Sequence, residues 1–337
     1  MALGRRIILG SALAAPFIRT ARADPIKLRA SVDTTPSHGR TISIADFLKK
    51  LEAASQGEIT CQLFDSGQLY PDRDVIKALV LGQVEMAAPG TWLVSAYVPE
   101  ADMAQLPVFY GQPAEITHRA IDGIPGNMVN DQVSKKLRVK LPGRWIDLGF
   151  TNWYSTRKPL NTLGDLKGLK IRNSGGFAQP WRARFFGGIP VMTPWPDVPL
   201  ALSQGTFDAL QSTNESCASA KLWDAGLRYG LIDHQFMGGY IPMFSESFWA
   251  SLNPGLKTLV TDLWAANIGA YRANLAAAQD RAEKELDAHG VKLTYVPAEE
   301  LAEQRKLMVA EQDTVARDMK ISPDILARIN DAITAVN

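Results

Sequence analysis

The chain has 337 residues, 46% hydrophobic and 21% charged, with a formal net charge of +1; this supplies a sizeable packed core and excludes a disordered chain. The charge is uneven: residues 1–23 hold Arg5, Arg6, Arg19 and Arg22 and no acid, leaving 32 basic against 35 acidic residues downstream, about −3. A mildly acidic body without a basic block excludes nucleic acid as a partner.

At the amino terminus, Arg5 and Arg6 precede an uncharged apolar run over residues 7–18, and Ala21-Arg22-Ala23 supplies small residues at A-x-A cleavage positions. Twelve helical residues span roughly 18 Å, short of the ~30 Å hydrocarbon core. Residues 1–23 therefore read as a removable signal peptide rather than an anchor. The paired arginines are compatible with twin-arginine export, and an ordinary signal stays open. Either route places the mature protein in the periplasm, not embedded in the membrane.

Downstream, residues 26–32 alternate apolar and polar and predict a strand, followed by the turn-rich loop Asp33-Thr-Thr-Pro-Ser-His38. Residues 42–53 carry helical apolar spacing, residues 59–64 a second strand, and Asp72 is placed to cap a helix running to Gly82. A short buried strand over residues 84–88 follows. The alternation predicts an α/β sheet with crossover helices.

The pattern restarts near Gly149. Strands are predicted over residues 150–155, 170–172 and from 189, with helices over 177–186 and up to Gln204, and a last strand over 207–211. Trp153 and Tyr154 are neighbours on one strand and must face opposite sides. Asn253 as cap, Pro254 at the first helical position and Gly290 as stop frame a helix of about 36 residues, ~54 Å long if unbroken. It could brace two lobes, or be two helices broken near Gly269. Cys61 and Cys217 are the only cysteines; one lies in a strand and the other in a helix-like segment far along the chain, which favours free thiols and fits no metal site.

No nucleophile elbow, metal-binding histidine pair, P-loop or dinucleotide fingerprint is present, and the four histidines are scattered. No cofactor or metal is expected. The strongest local feature is Asp165-Leu-Lys-Gly-Leu-Lys-Ile-Arg172, in which a glycine turn leads into a short strand ending in arginine. In α/β folds ligands sit at the carboxyl edge of strands, and a guanidinium meets a carboxylate through two parallel hydrogen bonds.

The run from Arg157 to Arg172 resembles the solute-binding subunit of tripartite ATP-independent periplasmic (TRAP) transporters, the dicarboxylate-binding, DctP-like class. Ser66-Gly-Gln-Leu69, Asp72-Arg-Asp74, the stretch Leu81-Gly-Gln-Val-Glu-Met-Ala87, residues 200–210 and Phe248-Trp-Ala-Ser-Leu252 are similar to that family in the same order. The resemblance implies an α/β, two-lobed periplasmic solute-binding protein fold, with a cleft between the lobes and a long helix bridging both. Residues 24–149 plus about 238–277 would form the first lobe, and 150–237 plus about 278–337 the second, with the C-terminal helices. It implies a monomeric, non-enzymatic protein that captures a small carboxylate solute (a C4-dicarboxylate, sugar acid or aromatic acid) and delivers it to TRAP membrane permease subunits. Arg172 would hold the carboxylate and Trp195 would pack on the ligand. Asn152 falls where some sialic-acid binders carry a second arginine, which counts against sialic acid. A polar contact would come from Ser212 or Asn214. In the first lobe Asp33, His38 and Trp92 lie on loops after predicted strands, facing the cleft. An extracytoplasmic enzyme using His38 or Glu215, or a binding protein serving a membrane sensor, are the competing readings.

Overall fold

The computed structural model describes residues 24–334, so the signal segment lies outside the described residues. The strands, in chain order, are β1 (Ile26–Ser31), β2 (Ile59–Phe64), β3 (Met86–Ala87), β4 (Val139–Lys140), β5 (Ile146–Phe150), β6 (Asn152–Ser155), β7 (Lys170–Asn173), β8 (Ile189–Met192), β9 (Ala209–Ser212), β10 (Tyr229–Ile232), β11 (Met237–Tyr240), β12 (Met243–Ser245) and β13 (Lys292–Tyr295). They form a five-stranded sheet in the order β2-β1-β3-β12-β4 and a six-stranded sheet in the order β13-β10-β6-β9-β7-β8. Strands β11 and β5 pair as an antiparallel ribbon.

Each sheet nucleates one lobe. In the first, β1 lies parallel between β2 and β3, and Leu28 and Ala30 pack under Phe47 and Leu51 of the helix Gly39–Ala54. In the second, β7 lies parallel between β8 and β9. Trp153 and Tyr154 bury on opposite sides of the second sheet, in separate clusters, as the two-residue strand period requires.

Residues 150–155, expected as one strand, are broken at Thr151. The segment before it pairs with β11 and the segment after it with β9 and β10. Thr151 itself is pinned to the return strand, its N–H donating to Phe236 O at 3.0 Å and its carbonyl accepting from Gln235 N at 2.9 Å. The chain thus crosses between lobes at Thr151 and again near residues 233–236, which makes this ribbon the hinge.

The long helix is the third link. It runs unbroken over Pro254–Ala288, 35 residues, with the Asn253 side chain capping Leu256 N. Nothing lies within 4 Å of where a Cβ on Gly269 would stand, so that glycine is a solvent-facing position and not a break. Val260, Trp264, Ile268, Tyr271 and Leu275 bury in the first-lobe core, and Ala282 and Leu286 in the second. Gln279 ties the helix to both sides, donating to Leu148 O at 2.8 Å and accepting from Glu215 N at 3.0 Å.

Two expectations change. Asp72 does not cap its helix: Pro71 occupies the cap position of Asp72–Val80 without a side-chain bond, because the Asp72 carboxylate is committed to Arg40. The C-terminal helices, assigned with the second lobe, divide. Val315, Ala316, Met319, Ile325 and Ile329 join the first-lobe cluster with Ile121, Val129 and Val133, since the helix Pro323–Thr334 presents its apolar face to Ala114–Asp122 and Ile124–Leu137. Cys61 and Cys217 are free thiols.

Candidate functional site

A cavity of about 550 Å³ lies between the lobes, within the range of small-molecule sites. Its second-lobe wall includes Arg172, Trp195, Ser212, Phe177 and Met192. Its first-lobe wall includes Asp33, Asp72, Trp92, Asp102 and Tyr240, and Leu148 and Thr151 form the hinge side.

Arg172 sits one residue before the carboxyl end of β7, between Val191 and Leu210 of the flanking strands. Only 1% of it is exposed. Its Nε and Nη2 donate to Thr193 O at 2.9 and 2.8 Å, and Nη1 reaches Gln211 O at 3.4 Å. The guanidinium carbon stands 5.4 Å from the Trp195 ring centre. Those carbonyls fix its orientation but leave its charge uncompensated: among the described residues it forms no ion pair. Burial pushes its pKa down to about 10, against the pull of Asp33, and a buried cation without a counter-ion is the electrostatic signature of a site that receives an anion.

The opposite wall is built differently. Arg40, wholly buried at the start of its helix, pairs with both Asp33 and Asp72, the latter at 2.8 Å. It also donates to Ala88 O at 3.0 Å. Tyr240 stacks on it at 4.1 Å and meets Trp92 edge-on at 5.9 Å. Arg40 and Tyr240 were missed in the sequence. Arg40 follows the loop after β1, at the carboxyl edge of a parallel strand, the same signal that singled out Arg172. Nothing marked Tyr240, which reaches the site through the hinge.

Five of the eight expected site residues line the cavity: Arg172, Trp195, Ser212, Trp92 and Asp33. Three do not, which corrects their expected placement. Asn152 spends its carbonyl oxygen on the N–H groups of Asp233 and His234, at 3.1 and 2.9 Å, and so locks the hinge. Asn214 accepts from Tyr154 at 2.5 Å and donates to Glu283 at 3.3 Å. Of the two candidates for a polar contact, only Ser212 is on the wall. His38 is fully buried where the lobes meet near the long helix. Its Nδ1 accepts the Arg40 N–H, so the proton resides on Nε2, which donates to Ser216 Oγ at 3.0 Å. Burial, with Arg40 nearby, pushes His38 down to about 3. Glu215 accepts from Gly39 N across the same junction, and burial raises it to about 7. A neutral histidine and this carboxyl group form a structural latch; among the described residues, no nucleophile, base and orienting group converge at the cavity.

Two lobes joined by a ribbon, braced by one helix and enclosing a cavity walled by a buried arginine form the architecture of a cleft-type binding protein. Residues 31–318 match the DctP family, bacterial extracellular solute-binding protein, family 7, and the chain belongs to that family of TRAP periplasmic solute-binding proteins, which are not enzymes. Over 331 residues it is 25% identical to the C4-dicarboxylate-binding periplasmic protein DctP of Rhodobacter capsulatus, covering 97% of this chain and 96% of that one. Over 301 residues it is 22% identical to the sialic acid-binding periplasmic protein SiaP of Vibrio cholerae, covering 89% and 91%. In fold it is similar to the sugar acid binding protein DctPAm of Advenella mimigardefordensis in complex with galactonate, with a TM-score of 0.86 at 19% identity, over 93% of this chain and 99% of that one. It is likewise similar to a TRAP solute-binding protein of Sulfurospirillum deleyianum with bound succinate, with a TM-score of 0.82 at 22% identity, over 91% and 98%. Among the described residues, no helix is long and apolar enough to cross a membrane.

Proposed function

We propose that this protein, exported by its arginine-bearing signal, captures a small organic acid in the periplasm and delivers it to TRAP permease subunits, acting as a monomer. The ligand carboxylate pairs with Arg172. Trp195 and Trp92 close on its body, and Ser212 and the Asp33 side contribute polar contacts; His38, Asn152 and Asn214 hold the lobes and touch no ligand. The single observation that carries this reading is the buried Arg172 guanidinium, held by two backbone carbonyls and paired with no acid. Relatives named for C4-dicarboxylates and structures holding galactonate or succinate agree in ligand class.

A thermal-shift survey of organic acids tests it. A ligand at 100 times its Kd adds about 2.7 kcal/mol of stability, and mass spectrometry should recover that acid unchanged. Chemical turnover of the stabilising acid, or stabilisation by neutral sugars only, contradicts the proposal.

A further inference from the structure

The two cavity walls differ in charge. The second-lobe wall offers one uncompensated cation, Arg172. The first-lobe wall carries Asp33, Asp72 and Asp102, and the buried cation Arg40 is already shared by Asp33 and Asp72. Asp102 is 1% exposed. Its Oδ1 accepts from Thr91 at 3.2 Å and from Gln105 at 2.5 Å, but its Oδ2 is buried without a hydrogen-bond partner. That oxygen stands against the loop that follows Arg172, 2.9 Å from where a Cβ on Gly176 would be.

Behind this wall lies a third buried guanidinium, Arg182, which donates to Gln105 O at 2.7 Å. It does not line the cavity, Asp102 and Asp233 are near enough to act on its charge, and its Nε and Nη1 are buried without a hydrogen-bond partner. Three buried arginines therefore stand among four buried aspartates, of which burial raises Asp72, Asp102 and Asp233 to about 7, and of the three arginines only Arg172 lines the cavity. Once a carboxylate occupies Arg172, a second one would meet no other buried cation among the described lining residues. The remaining lining cations, Arg73 and Lys320, are exposed at the rim, and Arg73 leans on Asp74; screened surface charges of this kind contribute little.

Resting on the arginine–carboxylate reading above, we propose that the ligand is a monocarboxylate whose far end carries hydrogen-bond donors, hydroxyl, amine or ring N–H, received by Asp102 and the Asp33–Asp72 side. Dicarboxylates are disfavoured. An orphaned buried acceptor is satisfied by a donor, and a second carboxylate would find carboxyl groups there in place of a cation to pair with. The aromatic groups Trp92, Trp195 and Phe177, which also line the cavity, accept either a flat ring or the C–H face of a sugar, so the shared chemistry is the charged head and the donor-bearing tail.

Calorimetric titration of the full mature chain with five probes tests this: galacturonate and 4-hydroxybenzoate as donor-ended monoacids, benzoate without a distal donor, and succinate and terephthalate as diacids. At least one donor-ended acid should bind tenfold or more tightly than benzoate and than either diacid; which one does identifies the body. Asp102→Asn, checked for folding by circular dichroism, should narrow the gap between that acid and the diacids at least threefold. A diacid that binds more tightly than both donor-ended acids overturns this inference, and leaves the arginine reading intact if Arg172→Ala abolishes that binding. Binding that survives Arg172→Ala overturns the arginine reading instead. Failure of all five acids to bind counts against both.

Discussion

Arg172 and Arg40 are both buried arginines beside one cleft, and their partners separate their roles. Arg40 meets two carboxylates and holds the first-lobe loops together; Arg172 meets carbonyls and, among the described residues, no acid, which under the proposed function leaves its charge for a guest. Trp195 supports that charge from below, and a desolvated cation–π contact is worth up to about 2 kcal/mol. Trp195→Ala should therefore weaken binding of the best acid roughly 5- to 30-fold by calorimetry without unfolding the protein. Glu215 gives a prediction in pH. Its folded pKa is raised from 4.5 to about 7 by burial, so its neutral form is favoured in the folded state. The folded protein then binds the proton more tightly than the unfolded chain does, and stability from this group is present below pH 4.5 and lost as pH rises through 7. Glu215→Gln removes the ionisation, so its stability relative to wild type should rise between pH 5 and 8, by on the order of 1–3 kcal/mol. A pH-independent difference in chemical denaturation would show that Glu215 is ionised at no cost. His38 and Asn152, read as site residues from their loop and strand positions, show the limit of linear reading at this scale. Each is polar and cleft-adjacent, yet its hydrogen-bonding capacity is used up by partners 178 and 81 residues away.

Elements were more legible than contacts. Asn253, Pro254 and the stop near Gly290 mark the long helix because capping chemistry is local, and β7 announces itself through a turn glycine leading into the short run Lys170-Ile-Arg172. The break at Thr151 was not legible, because residues on either side have equal strand character and only pairing with two different sheets separates them. The packing of the last two helices on the first lobe was hidden for the same reason: amphipathic spacing says that a face is buried, not against what. Gly269 tests the continuity of the long helix. With nothing within 4 Å of its absent Cβ, Gly269→Ala should stabilise the protein by about 0.5–1 kcal/mol in urea denaturation, by the difference in helix propensity. A loss of stability would mean the helix is interrupted there.

At the scale of the molecule, two lobes are joined by a two-stranded ribbon and one continuous helix, and their facing walls carry complementary parts of one site. A guest that touches both walls favours the closed arrangement by its differential contacts. Small-angle scattering should accordingly show a smaller radius of gyration at saturating ligand than without it, whereas an unchanged profile would mean that the lobes do not move on binding. The proposed function turns on the pairing of Arg172 with a ligand carboxylate inside a desolvated cleft. Removing one partner of such a buried charge pair costs about 2–5 kcal/mol, equivalent to roughly 30- to several thousand-fold in Kd. Arg172→Lys should also bind poorly, since an ammonium keeps the charge but lacks the planar fork. The direct measurement is calorimetric titration of wild type, Arg172→Lys and Arg172→Ala with the best acid from the survey, with circular dichroism to establish folding. The account predicts near-complete loss of binding by a folded Arg172→Ala protein; wild-type affinity in that variant would contradict it.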